Sequence, residues 1–73
     1  MANPKNKRVK VDHSEFRSSY GTDAKGRGCW VFSVTKNANV DDMFFDSEWR
    51  TVAQSAKAAS EFFGGVEVVF AQP

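Results

Sequence analysis

At 73 residues the chain has room for one small domain, because a polypeptide this short buries only about 60% of the surface its unfolded form exposes. A single cysteine, Cys29, excludes an internal disulfide, and no stretch of roughly 18 apolar residues is present that could cross a bilayer. The formal net charge of +1 is unevenly spread, since Lys5, Lys7, Arg8 and Lys10 put +4 into the first ten residues and leave −3 for the rest.

A short chain that manages without disulfides suits a reducing compartment, so the cytoplasm is the expected location. Met1 to Lys10 carries charge but no apolar leader, and export is not expected. Leu and Ile are absent, so the core must come from Phe, Val, Ala, Met and Trp, and each aromatic becomes a large share of the hydrophobic stabilisation.

Residues 1–7 contain Asn3-Pro4 and few apolar side chains, and are read as a mobile basic arm ahead of a single domain over 8–73. Val9 and Val11 alternate with Lys10 and Asp12, and Phe16 and Tyr20 follow as burial candidates, which places an early strand within residues 8–20. Gly21 to Gly28 is polar with three glycines and reads as an exposed hairpin connection. Cys29 to Thr35 is the clearest strand, with Trp30, Phe32 and Val34 expected on the core face and Cys29, Val31 and Ser33 on the other. Asn37-Ala38-Asn39 supplies turn residues, and Met43, Phe45 and Trp49 share the period-2 face of a third strand.

Thr51 and Gln54 have the spacing of a capping box, and Gly64-Gly65 provides a stop. Between them Val52, Ala56, Ala59 and Phe63 form one narrow, mostly alanine stripe that lets a helix lie close to a sheet. Val66, Val68 and Phe70 are expected inward in a last strand. The expected architecture is therefore α+β in two layers, β-β-β-α-β, with an antiparallel three-stranded meander and a final strand parallel to its neighbour after a right-handed crossover.

The chain offers little catalytic material. The run Gly21 to Gly28 has the glycines of a phosphate-binding loop but lacks the Lys-Ser/Thr and the helix such a loop opens. Cys29 and His13 are the only cysteine and histidine, with no third group in the sequence to orient them. One His and one Cys cannot supply a zinc tetrad, and no calcium-loop spacing occurs, so neither metal nor cofactor is expected. Asp41, Asp42, Asp46 and Glu48 read as solvated carboxylates near a sheet edge.

Ser14-x-Phe16, Gly21, Arg27-Gly28-x-Trp30-x-Phe32 and Thr51-x-x-x-Ser55-x-x-Ala58 together resemble a pattern of small, mostly uncharacterised proteins of phages, plasmids and other mobile elements. The resemblance covers most of the chain beyond the arm. It implies a small strand-and-helix fold and an accessory role, in a class where small binders and inhibitors of host machinery are common, and it assigns no functional residues.

One helix covers one face of a sheet, which leaves the opposite face as the principal functional candidate. Cys29, Val31, Phe44 and Val69 are expected there, as a contact surface for a protein partner or for a second copy in a homodimer. The alternative is nucleic-acid binding through Lys5, Lys7, Arg8 and Lys10 of the N-terminal region with Lys25 and Arg27 of the glycine loop.

Overall fold

The computed structural model describes residues 9–73. The proposed arm over 1–7, and Lys5, Lys7 and Arg8 with it, lie outside the described residues. The elements are β1 (Lys10–Asp12), α1 (Ser14–Tyr20), β2 (Arg27–Gly28), β3 (Val31–Ser33), a single 3-10 turn (Val40–Asp42), β4 (Phe44–Phe45), β5 (Arg50–Thr51), α2 (Val52–Phe62) and β6 (Val68–Ala71). They build a small α+β fold with two helices, a four-stranded mixed sheet in the order β1-β6-β3-β4, and a two-stranded sheet of β2 with β5.

The early strand is shorter than its sequence implies. β1 ends at Asp12, whose carboxylate accepts from the Ser14 amide (2.9 Å) and the Ser14 hydroxyl (2.6 Å), turning the chain into α1. These bonds also hold the Asp12 carboxyl below its ordinary pKa. Phe16 and Tyr20, expected on a strand, instead use their four-residue spacing as helix neighbours, with ring centroids 4.6 Å apart. Gly21, at φ +75°, closes α1 by donating to the Arg17 carbonyl.

The expected meander does not form, because β6 lies between β1 and β3. It pairs parallel with β1 (Val11↔Val69) and antiparallel with β3 (Phe32↔Ala71, Ser33↔Phe70). A central place lets β6 satisfy backbone groups on both edges, whereas a terminal place would leave one edge unpaired. The last strand does run parallel to a neighbour, but that neighbour is β1. β5, which precedes α2, lies in the other sheet, so the expected strand–helix–strand crossover within one sheet is absent, while β3 and β4 form an antiparallel pair as expected.

Directly paired residues share a face, so the registers sort the sheet. One face carries Val11, Val69, Ala71, Phe32 and Phe44, and the other carries Lys10, Asp12, Val31, Ser33, Phe45, Val68 and Phe70. Phe32, Val69 and Ala71 are buried with Ala56 and Ala59 of α2 in one core cluster, joined by Ala24. The assignments for β4 and β6 are thus each displaced by one residue: Phe44 and Val69 belong on the helix side, and Val69 is fully buried at 0% exposure. The alanine stripe accounts for the choice, since a helix that lies close to the sheet meets Val69 and Ala71 more readily than Val68 and Phe70. Trp30 stands just outside β3 and half-buried, and Val34, expected inward, is exposed in the turn that follows.

α2 begins and ends where the sequence places it. The Thr51 hydroxyl accepts from the Gln54 amide (3.2 Å) and the Gln54 side chain accepts from the Thr51 amide (3.1 Å). Gly64 and Gly65 both take positive φ, and the Ser60 hydroxyl donates to the Val66 carbonyl beneath them. Ser55 and Ser60 are buried beside Ala56 and Ala59, which widens the stripe.

Thr51→Ala removes one half of the reciprocal cap and is expected to cost about 1 kcal/mol in urea unfolding, while Thr51→Ser retains most of the stability. Equal midpoints for Thr51→Ala and the parent chain would show that the cap contributes nothing.

Candidate functional site

The far face of the sheet is less open than a single helix would leave it. Ser33 points to that face and is nevertheless fully buried. Gln72 Nε2 donates to Ser33 Oγ at 2.7 Å and to the Glu15 carboxylate of α1 at 3.1 Å. Glu15 in turn accepts from the Asn37 amide beyond β3. The first turn of α1 and the β3–β4 connection are thereby tied to this face, leaving Val31 and Phe70 half-buried.

Of the residues expected to form an apolar contact surface there, Val31 alone stands on the far face of the four-stranded sheet. It lies opposite Phe45, which is exposed. Cys29 is exposed between β2 and β3. Phe44 and Val69 are on the helix side, and the buried Val69 has no surface to offer. Lys10, Lys25 and Arg27 are all exposed, on β1, on the loop after α1 and on β2 respectively. The His13 Nδ1 accepts from the Ala24 amide at 3.2 Å, which gives this ring a structural task in the loop after α1. Among the described residues no cluster of three or more His, Cys, Asp or Glu is placed to hold a metal, and no helix is long and apolar enough to cross a membrane.

The conspicuous apolar surface is elsewhere, at the C-terminal end of α2. Phe62 is 64% exposed yet contacts two other rings, Phe44 with centroids 5.2 Å apart and Phe63 at 5.1 Å in an edge-to-face arrangement. Phe62 and Phe63 line an open groove of about 430 Å³ completed by Val34, Thr35, Asp41 and Asp42. Val40, beside those two aspartates on the 3-10 turn, is 66% exposed. Phe62 escapes a sequence reading because it lies off the Val52-Ala56-Ala59-Phe63 stripe. The signal for it is the pair Phe62-Phe63 immediately before Gly64, where a helix turn carries more aromatic bulk than a narrow stripe can bury.

Asp46 also departs from expectation. The sequence places it among solvated carboxylates, whereas in the fold it is 5% exposed. Its carboxylate accepts from Arg50 Nε (2.7 Å), from the second guanidinium nitrogen (3.0 Å) and from the Glu48 amide (2.9 Å). Arg50 is the main cause that lowers the Asp46 pKa to about 2, against the opposing effect of burial. The Ser55 hydroxyl, buried without a hydrogen bond of ordinary geometry, pulls in the same direction. This pairing fixes the β4–β5 connection, while the Arg50 carbonyl accepts from Trp30 Nε1 at 3.0 Å and Trp30 meets Phe16 edge-on.

No family model, curated protein or solved structure matches the chain.

A carboxyl with a depressed pKa stabilises the fold above its unfolded value of 3.8, and that contribution is lost as pH falls through about 2. With Arg50 partly open to water, the pairing is worth on the order of 1–2 kcal/mol at neutral pH. Asp46→Asn is expected to lose that amount in urea unfolding at pH 7 and to differ less from the parent chain at pH 2. A gap that stays constant between those pH values would contradict the assignment.

Proposed function

We propose that the protein is a small non-enzymatic binding protein that engages another protein through the aromatic surface where the last turn of α2 meets β4. The observation that carries this reading is Phe62, a large apolar side chain left 64% exposed and held in place by Phe44 and Phe63. Ordered aromatic side chains at a surface are the residues that dominate protein contacts, because they desolvate a large area and lose little rotamer entropy on binding. An accessory role of this kind agrees with the resemblance to small proteins of mobile elements. Exposed Phe45 and half-buried Val31 form a second apolar spot on the far face.

The competing reading, nucleic-acid binding, has Lys10, Lys25 and Arg27 as its described cations, on three separate elements. Its contacts would weaken linearly with log salt, by nearly one log unit per neutralised phosphate.

Capture experiments with the full chain as bait distinguish the two. Phe62→Ser is expected to keep its urea midpoint to within about 1 kcal/mol, because the ring is largely solvated, and to lose at least about tenfold of the captured protein. Arg27→Ser is expected to capture as the parent does. Undiminished capture by folded Phe62→Ser would defeat the proposal, and a salt-sensitive nucleic acid lost with Arg27→Ser would replace it.

A further inference from the structure

We infer that the groove beside Phe62 receives a short basic peptide segment that carries one bulky apolar side chain. This rests on the protein-binding reading above and adds the chemistry of the partner. The walls of the groove are of two kinds. Phe62, Phe63 and Val34 provide an apolar surface backed by Phe44, suited to one aromatic or long aliphatic side chain. Asp41 and Asp42 stand at the rim on the 3-10 turn, both exposed, and Thr35 adds a hydroxyl.

Among the described residues no Lys or Arg lines the groove. The rim is therefore negative next to an apolar floor. A Lys or Arg flanking the inserted side chain can reach the carboxylates, and a guanidinium can also lie over the exposed face of Phe62. An acidic segment would place like charges together at the same rim, and so would a phosphate backbone. The volume of about 430 Å³ suits a single anchor with its flanking stems, as in peptide recognition where a pocket gives specificity and the rim sets charge preference.

The full chain, isotopically labelled for NMR, is titrated with acetyl-Arg-Trp-Arg-amide and with acetyl-Glu-Trp-Glu-amide. The basic peptide is expected to give saturable shifts centred on Val34, Thr35, Asp41, Asp42, Phe62 and Phe63, with the acidic peptide at least about tenfold weaker. The double variant Asp41→Asn with Asp42→Asn, both at exposed positions, is expected to remain folded and to lose about tenfold in affinity for the basic peptide alone. Equal affinity for the two peptides, shifts centred elsewhere, or no binding of either overturns the inference. So does sedimentation showing the groove closed by a second copy, relieved in Phe62→Ser. If capture depends on Phe62 while the peptides show no charge preference, the protein-binding reading stands and the basic partner does not.

Discussion

β6 is hydrogen-bonded along both edges, to β1 in parallel and to β3 antiparallel, and the positions of the other elements depend on that placement. The β1 pairing covers Val68 to Phe70 and the β3 pairing covers Phe70 and Ala71, and the side chains of β6 alternate between the two faces of the sheet. Val69 and Ala71 turn to α2 and meet the alanines there, while Phe70 turns to the face that α1 and the β3–β4 connection help to cover. This arrangement joins sequence-distant segments in a domain with only a few large buried side chains, Phe32 foremost among them.

Features governed by local chemistry were legible in the sequence. The Thr51–Gln54 cap, the glycine stop and the buried pair Ala56 and Ala59 depend on neighbours within a few residues, and each is present. The strand around Phe32 was visible from its aromatic and β-branched content. Side-chain parity in β4 and β6 was not, because Phe44-Phe45 and Val68-Val69-Phe70 are apolar on both sides and give no alternation to read. In β6 the helix bears on the parity, since its alanine and serine surface meets Val69 and Ala71 while Phe70 lies on the other side. In β4 the two residues are both Phe, and the register with β3 sets which one faces the helix.

α1 was hidden for a related reason. Val9 and Val11 alternate as a strand does, and the same rhythm carried through Asp12-His13-Ser14 conceals the change of period. The Asp12 side chain, which takes both the amide and the hydroxyl of Ser14, ends the strand within one residue. Once α1 exists, Glu15 can accept from Gln72 and Asn37, and a polar cluster around Ser33 occupies a face that otherwise had to be left bare. Exposed aromatic surface accordingly lies at the end of α2, where Phe62 meets Phe44.

The exposure of Phe62 has a geometric cause. β4 has two residues and borders the sheet, so there is little sheet beside it for the last turn of α2 to rest upon. The helix can bury Ala56 and Ala59 in its middle, but Phe62 reaches the margin and finds only Phe44 and its own neighbour Phe63. An exposed aromatic at such a margin costs free energy relative to a polar residue, which a domain of this size can ill spare. The capping box, the glycine stop and the alanine contacts hold the body of α2, and the ring contacts of Phe62 with Phe44 and Phe63 add to them at its end. Phe62 therefore stays largely open to water beside a groove that Asp41 and Asp42 make acidic.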